Sequence, residues 1–142
     1  MGETYTEITL KNAIDVGSVK RKLMKKADVQ QLTVRIMADT GSSDLVINEK
    51  MRKQLGLRIK YTDEITLADN RKVLCHYTEA VDVHWKDREM SCMAAVMPND
   101  GEPLLGLIPM EGLDVTVNPK RQEVVGAHGD KPVKKAVSAR RR

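Results

Sequence analysis

Apolar and polar residues alternate along most of this chain, and the alternation predicts short β-strands. Residues 5–16 (YTEITLKNAIDV) alternate loosely and read as a first strand, while 31–37 (QLTVRIM) alternate strictly, with Leu32, Val34 and Ile36 on one face. Residues 44–48 (DLVIN) resume an apolar run after a polar break. Residues 65–74 (ITLADNRKVL) form a hairpin candidate with Asp69-Asn70 at its tip. Residues 76–85 and 88–98 pair through Lys86-Asp87: with partner numbers summing to 173, Val83 faces Met90, Val81 faces Cys92 and Tyr77 faces Val96. That register gives one apolar face and one carrying His76, Thr78, Asp82 and His84. Residues 113–125 read as a last hairpin around Asn118-Pro119-Lys120-Arg121, and Leu104-Leu105-Gly106-Leu107-Ile108 as a buried apolar run. One helix is predicted, 49–55 (EKMRKQL), ended by Gly56. Residues 17–30, with Gly17 and the cluster Lys20, Arg21, Lys22, Lys25 and Lys26, read as an exposed loop or wide hairpin.

The pattern is all-β, and 142 residues suffice for one domain with a real core. Its charge is unevenly spread. Of the 24 Lys and Arg, six lie in residues 131–142 (KPVKKAVSARRR), leaving 18 against 20 Asp and Glu in residues 1–130. Residues 1–130 are therefore predicted to be a near-neutral domain and 131–142 a disordered basic tail. Such a tail can hold nucleic acid by counterion release. Base-stacking recognition is disfavoured, because Tyr5, Tyr61, Tyr77 and Trp85 are the only aromatics. No stretch is apolar enough for a membrane span and no secretory leader is evident, so no membrane partner is expected and a cytoplasmic setting is predicted. Cys75 and Cys92 are too few and too far apart for a disulfide framework or a zinc site, and both are expected to stay free. His76 and His84, eight residues apart on one strand, cannot share a metal; His128 reads as loop and Cys92 as core packing. No metal or cofactor is expected.

Asp39-Thr40-Gly41-Ser42-Ser43 carries the chemistry. A carboxylate follows directly on an apolar strand and enters a tight turn. Gly41 lets its amide approach that carboxylate, and Ser42 can donate a hydrogen bond to an Asp39 oxygen, favouring the ionised form. The hydroxyl of Thr40 could bind backbone across a subunit boundary. A bare Asp-Thr-Gly is weak, since the same residues make good turns. Its flanks strengthen it: a helix ending Leu55-Gly56-Leu57, a polar-tipped hairpin, and the apolar-apolar-glycine run Leu104-Leu105-Gly106.

With these features in order, the chain resembles the retropepsin-like aspartic proteases, the retroviral-protease group, particularly its short bacterial members. The resemblance spans roughly residues 5–125 and rests on the first strand with Asn12, on VRIMADTGSSDLVI (34–47), LGL (55–57) and PLLGLIPMEGLDVTVNP (103–119). It implies a closed-barrel all-β subunit that is half of a homodimer, with Asp39 catalytic and Thr40, Gly41 and Ser42 supporting it. It implies a substrate-covering flap at Leu67, Ala68, Asp69 and Asn70, and packing of Leu104, Leu105 and Gly106 behind the catalytic loop. Two departures stand out: Ser42 where retroviral enzymes usually have Ala, and a flap tip without glycines. Hydrolysing an amide with water needs a base and an acid, which two carboxylates sharing one proton supply. No second Asp-[Thr/Ser]-Gly exists here, so a second copy must bring the other carboxylate. The expected function is an aspartic endopeptidase acting on polypeptide. The alternative is a non-proteolytic dimeric binding module of the same fold, contacting nucleic acid through its basic tail.

Overall fold

The computed structural model describes residues 2–98 and 100–129, so the basic tail lies outside the described residues. In chain order the strands are β1 (Thr4–Asn12), β2 (Gln31–Ala38), β3 (Leu45–Asn48), β4 (Ile59–Thr66), β5 (Lys72–Thr78), β6 (Val81–Trp85), β7 (Arg88–Cys92), β8 (Ala94–Met97), β9 (Leu104–Leu105), β10 (Val115–Asn118) and β11 (Glu123–Gly126). The helices are α1 (Ala13–Lys20), α2 (Glu49–Gln54) and α3 (Leu107–Leu113), with a 3₁₀ turn at Lys26–Asp28. Nine strands form one sheet in the order β4-β5-β8-β3-β9-β2-β1-β6-β7, and β10 pairs with β11 alone.

Alternation sets the core. In β1, Ile8 and Leu10 point inward and Glu7 stays exposed; β2 turns Ile36 and Ala38 the same way. The antiparallel register places Leu10 opposite Leu32 and Ile8 opposite Val34, and Leu10 meets Val83 of β6 on its other side. The inner face continues through Leu45, Ile47, Val81, Trp85 and Leu105, and Met110, Leu113, Val115 and Val124 join the same cluster from α3 and the β10–β11 hairpin. The fold is mostly β, but the sheet is open rather than a closed barrel: β4 and β7 are its two unpaired edges.

Other sequence expectations also change. The predicted loop at 17–30 begins as a helix, because Asn12 ends β1 early. Its side-chain oxygen accepts from the N–H groups of Ile14 (3.0 Å) and Asp15 (3.2 Å), capping α1. Gly17, expected in the loop, lies inside that helix. The run 104–108 is only half buried: Leu107 and Ile108 open α3 and are exposed. Their helix follows from Pro109, which is tolerated in a first turn where its missing N–H is not needed. The 173-sum pairing holds for β6 and β7, where Val83 faces Met90 and Val81 faces Cys92. It fails beyond them. The chain breaks at 79–80 and at Met93, and Tyr77 pairs with Ala95 while His76 takes Val96. Thr78, expected on the polar face, is fully buried, its hydroxyl oxygen accepting from Ala94 N–H at 3.1 Å and so pinning that break.

Candidate active site

The short strand β9 slots between β2 and β3, parallel to the first and antiparallel to the second. The loop joining β2 to β3, residues 39–44, is thereby clasped at its base. Asp39 N–H donates to Leu105 O at 2.9 Å, and Gly106 N–H donates to Asp44 O at 3.0 Å. Leu107 and Ile108 N–H groups donate to Ser42 O and Ser43 O, both at 2.8 Å. Thus α3 begins by giving its free amide donors to the loop. Gly106 is required for this approach: a Cβ there would meet the backbone of the same loop, with Ser42 O at 2.6 Å and Asp44 N at 2.8 Å.

Within the loop, Gly41 N–H donates to Asp39 Oδ1 at 2.9 Å, and Ser42 N–H donates to Asp39 O at 3.1 Å. The residue sequence pointed to the Ser42 hydroxyl as a partner of the Asp39 carboxylate; the contacts to Asp39 come instead from backbone amides. Asp39 is half-buried, and Thr40 and Gly41 are exposed. The tripeptide therefore stands at the surface on a rigid base. Leu105 and Gly106 are buried beneath it, and Leu104 is half-buried.

Two depressions flank the loop. One, of about 610 Å³, is lined by Met37, Asp39 and Thr40 on one side and Val117 and Pro119 on the other. The second, about 870 Å³, runs from Thr40 to Leu107, Met110, Val115 and His128. His128 Nδ1 lies 2.7 Å from Asp114 Oδ1, so this histidine is anchored on α3's C-cap residue. No group of His, Cys, Asp and Glu among the described residues is arranged to hold a metal.

The predicted flap residues sit at the tip of a long β4–β5 arm. Leu67 N–H donates to Arg71 O at 2.8 Å, Asn70 takes a left-handed conformation (φ 67°), and Arg71 Nε reaches Asp69 Oδ2 at 2.6 Å. Only His76 and Tyr77 of β5 pair with the sheet, through β8, so the rest of the arm projects from it. Sequence reading placed this hairpin but missed its length and the stack at its root: the Tyr61 and Tyr77 rings lie 5.0 Å apart at 18°. Extending the hairpin pairing down to Tyr61 was the available signal. A hydrogen bond with Cys75 is the main cause, with burial, of the rise of the Tyr77 hydroxyl's pKa to about 12. Burial pushes the Cys92 thiol up to about 12, with nearby Asp44 adding to the effect. Both cysteines are free.

A sequence-family model described as aspartyl protease matches residues 26–127. Among solved structures, the chain is similar to an EIAV protease complexed with the inhibitor HBY-793, with 15% sequence identity and a TM-score of 0.54 over 82% of this chain and 93% of that one. At that identity the likeness speaks to the fold. No curated protein sequence matches the chain.

Proposed function

Because this chain belongs to the aspartyl protease family, we propose that it is an aspartic endopeptidase working as a homodimer, with Asp39 of each copy at a shared site. The observation that carries this reading is the half-buried Asp39 carboxylate at the start of a clasped loop, oriented by Gly41 N–H and backed by Leu105 and Gly106. One such carboxylate is half of the machinery. Two brought to about 3 Å cannot both ionise readily, so they hold one proton between them, the established chemistry of aspartic proteases. The ionised partner takes a proton from water while the protonated one donates to the leaving nitrogen. Thr40, exposed on the loop, would bond across the subunit boundary, with Gly41 and Ser42 holding the loop's shape. The β4–β5 arm, with Leu67, Ala68, Asp69 and Asn70 at its tip, would close over an extended polypeptide and bind it by strand-like pairing.

Asp39→Asn tests this directly. It keeps the size of the side chain and the acceptor for Gly41 N–H, but removes the base. Peptide cleavage should fall by at least about a thousandfold, while circular dichroism and the dimer fraction stay as in the parent. The parent's rate should be bell-shaped in pH with an acid-side maximum, since the singly protonated pair exists only between its two macroscopic pKa values. Substantial cleavage by the variant would overturn the mechanism. A parent that dimerises but cleaves nothing would favour the binding-module reading.

A further inference from the structure

The end of the sheet opposite the catalytic loop has a different character. β1 and β2 run antiparallel from the pair Thr4–Ala38, beside Asp39, to the pair Lys11–Gln31. That is roughly 24 Å at about 3.4 Å per residue. At this far end α1 turns into the 3₁₀ segment, and residues 19–30 hold Lys20, Arg21, Lys22, Lys25 and Lys26 against the single acid Asp28. The remaining residues up to 130 hold 13 Lys and Arg against 19 Asp and Glu. The domain is therefore electrically polarised, with the positive pole away from the cleft.

An exposed apolar side chain, Leu23, belongs to that pole. α1 ends with Leu23 N–H bonded to Ser18 O (2.8 Å), Lys22 N–H bonded to Val19 O (3.0 Å), and Lys22 at φ 61°. This is the Schellman closure, in which the residue after the left-handed one usually packs on an apolar residue three or four places back from the helix end. α2 ends in the same way at Gly56, and there Leu57 is 1% exposed, in the core. In α1 the two partner positions are Gly17 and Ser18, and Leu23 is 78% exposed. The backbone fixes Leu23 in place with nothing on its own helix to cover it. Leu23 lines a shallow depression with Val19, Lys22, Met24, Lys25 and Asp28, and Val19 is shared with a neighbouring cavity of about 180 Å³ walled by Val16 and Val29 and rimmed by Lys11, Lys20 and Lys26, with no acid in its lining. Two further carboxylates lie near: Asp15 is buried and accepts from Gln30 N–H at 2.9 Å and Gln30 Nε2 at 3.2 Å, and Asp82, the cross-strand partner of Lys11, accepts from Ser91 Oγ at 2.5 Å.

We propose that this corner docks on an anionic lipid bilayer, with Leu23 entering the acyl boundary and Lys11, Lys20 and Lys26 gathering a headgroup over the small apolar cavity. An uncovered leucine flanked by Lys22 and Lys25, next to a cavity rimmed by three more lysines, matches a surface that is negative outside and hydrocarbon beneath. Nucleic acid would use the charges but has no place for the leucine, and the region offers no aromatic for base stacking. Docked this way, the cleft around Asp39 faces away from the membrane and stays open to substrate.

The test is co-flotation of the full-length protein with vesicles of phosphatidylcholine alone and of phosphatidylcholine with about one-third phosphatidylglycerol. Binding is expected only with phosphatidylglycerol present. Leu23→Ser should weaken it about tenfold with no change of charge. Leu23→Met should retain it, and Lys20→Glu/Lys26→Glu should abolish it. The tail at 131–142 is common to every variant, so these differences report the corner alone. Thermal melting should match the parent throughout, since the altered side chains lie at the surface. Equal flotation of all variants would overturn the proposal. So would absence of binding, or loss of duplex-DNA binding in the Lys variant with vesicle binding unchanged.

Discussion

The residue that most constrains the candidate site is Gly106, which no chemistry would single out. Its lack of a side chain lets β9 and the start of α3 lie against the 39–44 loop. Gly106→Ala places a methyl against backbone atoms that cannot swing aside. The substitution should cost about 3 kcal/mol or more in urea unfolding and lower cleavage even in protein that remains folded, because Asp39 N–H hangs on the neighbouring Leu105 O. Unchanged stability would mean that the loop can yield there. Cys92 gives a second measurable effect at this scale. Burial raises its pKa from the ordinary 9.0 to about 12, so the folded state holds the thiol neutral where the unfolded state ionises it. Its contribution to stability is complete below about pH 9 and lost as pH rises toward 12. Denaturant melts should therefore show stability falling over that window, and Cys92→Val should flatten the fall.

Among the elements, α1 shows how one side chain joins distant parts. Asn12 caps the helix through its oxygen while its Nδ2 donates to Leu55 O at 2.9 Å and, more weakly, to Gly56 O at 3.3 Å. The first strand, the first helix and the end of α2 thus meet on one buried amide. Asn12→Ala strips the cap and leaves a buried carbonyl without its donor, for an expected loss of about 2–3 kcal/mol. Asn12→Asp keeps the cap but turns a buried carboxylate oxygen toward Leu55 O and Gly56 O, and should lose at least as much as Asn12→Ala; an Asp variant as stable as the parent would show that the Nδ2 donor adds nothing. The sequence hid α1 because Gly17 and the cluster of five cations from Lys20 to Lys26 lower its helical signal, and the apolar face is carried by few residues. α2 was legible for the opposite reasons, strong helix formers with Gly56 after them, and the structure adds Asn48 as its cap.

For the whole molecule, the open edges of the sheet and the single Asp-Thr-Gly per chain pull in one direction. If the site is shared, peptidase activity per milligram must depend on concentration, rising roughly in proportion at high dilution and levelling off once association is complete. Sedimentation run in parallel should place the plateau where the dimer dominates. Full activity from a 15.9 kDa species would remove the shared site. The exposed pair Leu107 and Ile108, next to the 39–44 loop, would be expected to lose exposure in that dimer.

Local pattern determined the parts whose cause is local. Strict alternation gave β2, the 173-sum register gave the β6–β7 pair, turn chemistry gave the hairpins at 67–71 and 118–122, and Asp39-Thr40-Gly41 stood out once its flanking elements were read with it. Long-range pairing settled the rest. The insertion of β9 between β2 and β3 brings together residues 58 to 67 positions apart, and a two-residue strand has no period to read. The shift from a sum of 173 in β6–β7 to 172 in β5–β8 depends on Thr78 turning inward to receive Ala94 N–H, a choice made by the core. Composition alone could not say that Leu57 would be buried and Leu23 left bare, since both follow a helix end of the same geometry. What differs is the surrounding fold, which covers the first and offers nothing to the second.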